Sequence, residues 1–174
     1  QYWIRLNKWD VERHADCEWI RHHNNIVAIG PTGSGKSGTA CALAKQAIYQ
    51  GIPVMFYTFN EFTLHLVKAY NEEKIDVFIK KLNRFPLIII DDWGIQELTD
   101  TQRLQLFNFI VGRDKKGSLF ITSQKPIDAW HHAFGDPVMA DSVVDRISNH
   151  SYILDMYTEK SLREVFGLKG GNSK

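Results

Sequence analysis

An α/β domain built on a five-stranded parallel sheet is the fold class this sequence predicts, and three observations predict it. Short apolar runs bounded by turn residues recur along the chain: IVAI from Ile26, PVMFY from Pro53, LIII from Leu87, SLFIT from Ser118 and SYIL from Ser151. Between them lie stretches with helical apolar spacing, and strand alternating with helix is the pattern of a parallel sheet with crossover helices. The first run is followed by GPTGSGKS and then by a helical stretch, which is the context a phosphate-binding loop requires.

In chain order, residues 1–24 read as an N-terminal linker segment, 25–166 as the folded core and 167–174, GLKGGNSK, as a disordered tail. The opening QYWIRLNKW has neither an initiating Met nor an apolar leader, so further sequence is expected upstream. After Lys36, the residues Ala40, Leu43, Ala44, Ala47 and Ile48 repeat at helical spacing and Gly51 ends the run. Two helices are expected after PVMFY. The second falls between Asn71 and Asn83, with Ile75, Phe78, Ile79 and Leu82 on one face and Glu72, Glu73, Lys80 and Lys81 elsewhere. Thr99 and Gln102 form a capping-box pattern that opens a helix carrying Leu104, Phe107, Ile110 and Val111. Lys115, Lys116 and Gly117 read as its basic last turn and stop.

Composition narrows the function classes. The 174 residues hold 44% hydrophobic and 24% charged side chains, enough for one core that needs no disulfide or metal to fold. Lys+Arg 21 against Asp+Glu 20 excludes a chain that coats nucleic acid or anionic membrane through bulk charge, so any such contact must be local. No apolar run approaches the ~20 residues of a membrane-spanning helix. Cys17 and Cys41 have no CxxC partners and fit a reducing cytoplasm. The pairs His22/His23 and His131/His132 are adjacent residues that point apart, and they read as ordinary partly exposed histidines.

The loop and the third apolar run carry the chemistry. Gly30, Pro31, Thr32, Gly33, Ser34, Gly35, Lys36, Ser37 and Gly38 make a nucleotide-binding segment. Gly33 and Gly35 allow successive amides to face phosphate oxygens, the next helix adds its positive N-terminal end, Lys36 neutralises β- and γ-phosphate charge, and Ser37 ligates Mg²⁺. LIIIDD delivers Asp91 and Asp92 at the C-terminal end of a buried strand, the edge where open α/β sheets bind ligands. Asp91 is placed beside Mg²⁺, and Asp92 to orient or deprotonate an attacking water. ATP with Mg²⁺ is therefore the expected ligand, and paired carboxylates favour hydrolysis over binding alone.

Three further blocks are specific: FITSQKPIDAWHHAFGD from Phe120, MADSVVDRISNH from Met139 and EKSLREVF from Glu159. With GPTGSGKS and IIIDDWG, they make the chain resemble the IstB-like ATPases, transposition helpers of insertion sequences and relatives of DnaC-type helicase loaders in the AAA+ superfamily. The resemblance runs from about Asn25 to Phe166. It implies a three-layer P-loop core whose C-terminal lid domain is cut down to a short helix. It places Gln124 at the polar sensor position after the fourth strand, with Thr122 as the neighbouring alternative. Arg146 matches the arginine finger that reaches a neighbouring subunit's nucleotide, a surface ion pair with Asp145 being the competing reading. Arg163 matches the sensor arginine that contacts nucleotide from the C-terminal side.

The same resemblance implies a nucleotide-dependent homo-oligomer, in ring or spiral form, on duplex DNA, which presents a target to a cognate transposase. Lys68, Lys74, Lys80, Lys81 and Arg84 surround the two helices after the second strand and are candidate phosphate contacts, repeated by each subunit; a solvated helix face is the alternative. Phe59 and Phe62 read as core residues rather than base-stacking ones. A replicative helicase loader acting on single strands, a P-loop small-molecule kinase and a nucleotide-gated scaffold are the competing functions.

Overall fold

The computed structural model describes residues 11–157. Five strands, β1 (Asn25–Ile29), β2 (Val54–Thr58), β3 (Leu87–Asp91), β4 (Ser118–Ser123) and β5 (Ser151–Asp155), form one sheet in the order β2-β3-β4-β1-β5. Every pairing is parallel, with Ile88 opposite Leu119, Ile26 opposite both Phe120 and Tyr152, and Val54 opposite Leu87. Each apolar run of the sequence has become a strand. The three central strands are buried along their whole length, as expected of near-continuous Val/Ile/Leu runs covered on both faces. The edge strands β2 and β5 keep half-exposed or exposed residues, among them Phe56, Tyr152 and Ile153.

Alternation along each strand builds two cores. Val27, Ile88, Ile90, Leu119 and Ile121 face one side, where they meet Phe62 and Leu66 of α3 (Phe59–Asn71), Leu106 and Phe109 of α5 (Asp100–Arg113) and Val143 of α7 (Pro137–Ser148). Ile26, Ala28, Leu87, Ile89 and Phe120 face the other side, against Ala40, Leu43 and Ala47 of α2 (Lys36–Tyr49) and Trp19 and Ile20 of α1 (Glu18–Arg21). The short α4 (Ile75–Leu82) and α6 (His131–Phe134) complete the helical layers. This is the α/β three-layer arrangement the sequence predicted. None of the described helices is long and apolar enough to cross a membrane.

Several details depart from the sequence reading. Residues 1–24 were assigned to a linker, yet Trp19 and Ile20 are 3% and 2% exposed and belong to the core. Ile48 was placed on the apolar face of its helix but is 59% exposed, because the covered face runs through Ala40, Leu43 and Ala47 and leaves position 48 beside it. On α5 the capping box forms as expected, Thr99 Oγ1 accepting from the Gln102 amide and Gln102 Oε1 from the Thr99 amide. The buried stripe, however, runs through Gln102, Gln105, Leu106, Phe109, Ile110 and Arg113, and Leu104 is exposed. A one-sided stripe with two glutamines in it cannot be found by counting apolar residues. The helix also stops earlier than expected. Asp114 turns extended and Lys115 is left-handed, so Lys115 and Lys116 lie beyond the last turn. Arg163 and the helix expected to carry it lie outside the described residues, as does the tail.

Candidate nucleotide site

At the C-terminal edge of the sheet, residues 30–35 connect β1 to α2. Gly35 caps α2 with φ 96° and Gly33 has φ 81°, left-handed angles that a side chain would strain. Gly30 is required by crowding: a Cβ there would stand 2.8 Å from the Met156 carbonyl oxygen and 2.9 Å from Ser34 Oγ. Neighbouring strands hold the base of the loop. The Gly30 amide donates to Ser123 O at 3.1 Å, and the Met156 amide donates to Ile29 O at 2.7 Å.

Capping separates α2 from the other long helices. Thr58 caps α3, Thr99 caps α5 and Asp136 caps α7, each accepting a backbone amide through its side chain. The N-terminus of α2 has no such cap. With no side-chain cap, the positive end of its dipole suits an anion from outside the chain. The Lys36 ammonium sits 5% exposed under this loop and donates to Gly30 O at 2.7 Å and Pro31 O at 2.8 Å.

Across the loop, Ser37 and Asp91 come together although they are 54 residues apart in sequence. Ser37 Oγ donates to Asp91 Oδ1 at 2.8 Å and lies 3.0 Å from Oδ2. Asp91 also accepts from the Thr122 hydroxyl. A hydroxyl and a carboxylate converging from α2 and β3 are hard oxygen donors of the kind Mg²⁺ takes, since this ion uses one or two carboxylates and keeps several waters. The expected pair of metal residues is thus brought together.

Asp92 follows with φ 59°, a left-handed conformation unusual for a residue with a side chain. Thr122 holds this turn from the next strand: its Oγ1 accepts the Asp92 amide at 2.9 Å and its carbonyl accepts the Trp93 amide at 2.8 Å. Trp93 is buried between Phe59 and Trp130, with ring centroids 4.8 and 5.2 Å away. The half-buried Asp92 opens on a cleft of ≈ 230 Å³ that it shares with Gln124 and Lys125. Of the two sensor candidates, Thr122 is fully buried and joins the Asp91 carboxylate to the Asp92 backbone amide, whereas Gln124 is exposed at the cleft wall. Tyr157 Oη donates to the Gln124 carbonyl at 3.0 Å across the end of β1. No local motif announces Tyr157 or the double role of Thr122, because both arise from contacts between distant strands.

Arg146 lies elsewhere. It occupies the last turn of α7, just before β5, and lines a pocket with His23, Asn25 and Leu119 at the N-terminal edge of the sheet. It donates to Ser142 O at 3.0 Å and to Ser142 Oγ, while Asp145 is engaged by Asn149. The competing Asp145–Arg146 ion pair is not formed. The candidate DNA residues are on the surface of α3, α4 and the turns after them: Lys68 and Lys74 both approach Glu72, at 4.0 and 3.6 Å, and Lys80, Lys81 and Arg84 are exposed.

The comparisons with known proteins follow the same lines. A family model described as IstB-like ATP binding protein matches residues 3–165. An insertion sequence ATP-binding protein of Sinorhizobium fredii is 34% identical over 146 residues, which cover 84% of this chain and 59% of that protein. The IS21 ATP-binding protein of Pseudomonas aeruginosa is 28% identical over 149 residues, 86% of this chain and 56% of its own length. The chain thus spans less than two thirds of these relatives. Among solved structures, the DnaC helicase loader superposes with a TM-score of 0.72 at 22% identity, covering 83% of this chain and 85% of that one. A replication initiator DnaA bound to AMPPCP and single-stranded DNA gives 0.74 at 16% identity over 92% and 48%. Likeness at this identity establishes that the chain shares the α/β fold of these proteins.

Proposed function

The chain belongs to the IstB-like ATP-binding protein family, and on that premise we propose that it is a Mg-ATP-dependent ATPase which assembles on duplex DNA and assists a transposase in choosing a target. The observation that carries the reading is the division of the machinery between two edges of one sheet. Lys36, Ser37, Asp91 and Asp92 gather at the C-terminal edge, and Arg146 stands at the N-terminal edge. A five-residue strand is roughly 16 Å long, so Arg146 completes a nucleotide site only in another copy of the chain.

The uncapped amides of α2 and the Lys36 ammonium would bind the β- and γ-phosphates, with Lys36 exchanging the Gly30 and Pro31 carbonyls for phosphate oxygens. Ser37 and Asp91 would hold Mg²⁺, which when bound neutralises charge on the phosphate oxygens. Asp92, aimed by Thr122, would orient a water and take its proton as the water oxygen bonds to the γ-phosphorus. The bond to the bridging oxygen breaks, and ADP and inorganic phosphate result. The guanidinium of a neighbour's Arg146 would stabilise the charge that develops, a contribution of about 10³-fold or more where such fingers act. Subunits joined head to tail in this way close into rings or continue as spirals, and repetition would multiply the weak contacts of Lys68, Lys74, Lys80, Lys81 and Arg84 with DNA phosphates.

Phosphate release measured with and without duplex DNA tests the reading. Arg146→Ala is expected to retain ATP binding and lose DNA-stimulated turnover; turnover equal to wild type would refute the trans site. The DnaC likeness favours one second reading, a helicase loader acting on single strands. Preference for single-stranded over duplex DNA in the presence of a non-hydrolysable ATP analogue would select it. ATP turnover with no added acceptor separates both readings from a small-molecule kinase.

A further inference from the structure

We propose that Lys115 is a second cation delivered across the contact that brings Arg146 to a neighbouring copy's nucleotide, where it meets the oxyanions of the terminal phosphates. The inference rests on the trans reading given above. At the N-terminal edge of the sheet, His23, Arg113, Asp114, Lys115 and Arg146 line one pocket. Arg113 spends its guanidinium on buried backbone carbonyls, so Lys115 and Arg146 are the cations this edge can offer, beside the single carboxylate of Asp114. Lys115 is exposed and has no ion pair among the described residues, and Arg146 donates back to its own helix at Ser142. Two arginines and a lysine against one aspartate give this edge an excess of positive charge, which favours an anion from outside the chain. The pocket encloses only ≈ 10 Å³, room for about one water. Its cations thus address a group presented at the mouth, as a neighbour's triphosphate would be.

The backbone gives independent support. Lys115 has φ 58° and His23 has φ 57°, left-handed angles just past the ends of α5 and α1, where the fold alone prefers glycine or asparagine. Attraction to a helix C-terminus explains a base in the last turn, and Arg113 already occupies that position in α5. A lysine at a left-handed position destabilises the fold slightly, and among the described residues no side-chain hydrogen bond or ion pair of Lys115 offsets the strain. Such positions cluster where side chains serve a ligand.

The test is Lys115→Gly, which removes the ammonium and relieves the left-handed backbone at once. The melting temperature is expected to rise by roughly 2 °C and ATP binding by dilute protein to stay at the wild-type level, while DNA-stimulated kcat falls about tenfold, the size of one lost phosphate contact. Lys115→Arg should recover most of the turnover. Mixing Lys115→Gly with Lys36→Ala subunits should give more turnover than the sum of the two alone, since one copy supplies an intact nucleotide site and the other an intact Lys115. Full turnover in Lys115→Gly beside lost turnover in Arg146→Ala would overturn this proposal alone. No gain on mixing would also overturn it, because Lys115 would then act within its own subunit. Full turnover in both Lys115→Gly and Arg146→Ala would instead remove the trans reading beneath it.

Discussion

Two buried cations, Lys36 and Arg113, sit at opposite edges of the same sheet and are both held by backbone carbonyls. Lys36 is 5% exposed and donates to Gly30 O and Pro31 O within its own glycine-rich loop. Arg113 is 2% exposed and spreads its guanidinium over Phe85 O at 2.7 Å, Ser118 O at 3.1 Å, Pro86 O at 3.3 Å and Leu82 O at 3.5 Å. The planar fork ties the end of α4, the entry to β3 and the start of β4 into one junction. Gly117 makes room for it, since a Cβ there would come within 2.7 Å of the guanidinium. Arginine suits a fixed junction because its donors are rigidly splayed; an ammonium on a flexible stem suits exchange, because its donors turn freely toward new acceptors. The same device is thus structural at one edge and, under the proposed function, serves a ligand at the other, and the choice of side chain separates the two uses.

Lys36→Ala gives the largest expected effect on function. Two charge-assisted contacts to phosphate are lost, so ATP affinity by calorimetry should fall by about 100-fold or more, with a melting temperature near that of wild type. Unaltered affinity would break the contrast. Arg113→Met is the mirror image. It strands several buried carbonyls and should cost about 3 kcal/mol in urea unfolding, with ATP affinity kept by the folded protein. Burial lowers the Arg113 pKa to about 10, well below the ordinary guanidinium range. The unfolded chain therefore binds more protons only above about pH 10, so stability rises with pH there and the Arg113→Met difference should be flat from about pH 6 to 9. A slope in that window would mean that another group is titrating.

Thr122→Val sharpens the comparison at the functional edge. It removes the hydroxyl that joins Asp91 to the Asp92 turn. A loss of about 1 kcal/mol in stability is expected, together with a kcat about tenfold lower and little change in ATP affinity. The smallest effect lies at the same edge, in the segment that follows the C-terminal end of β4. The imidazole of His131 lies 3.0 Å from Asp128 O and 2.9 Å from Asp141 on α7, and these partners, the carbonyl first, raise its pKa. The stability it contributes is complete below the unfolded value of 6.5 and is lost as pH rises through the higher folded value. His131→Gln should flatten that slight decline in melting temperature above neutral pH.

How much was legible in the sequence follows the range of the interactions. The five strands and the loop were readable because apolar runs, glycines and the Lys36–Ser37 pair are local signals. Ser37 and Asp91 could be paired because the chemistry of a phosphate site names both partners in advance. The buried stripe of α5 was misread because Gln102, Gln105 and Arg113 lie in it, each buried for a hydrogen-bonding or packing reason that only the folded neighbours supply. Thr122 was readable as a candidate but its bridge to Asp91 and Asp92 was not, since 30 residues and a strand crossover separate them.

Trp93 stacks on Trp130 with ring planes 35° apart, and it follows Asp92 directly in the chain. Two indoles this close couple their electronic transitions, and the sign and size of that coupling depend on their mutual angle. The carboxylate proposed to activate water therefore adjoins a native chromophore pair: near-ultraviolet circular dichroism or tryptophan emission can follow the turn at Asp92 as nucleotide is added, in unlabelled protein.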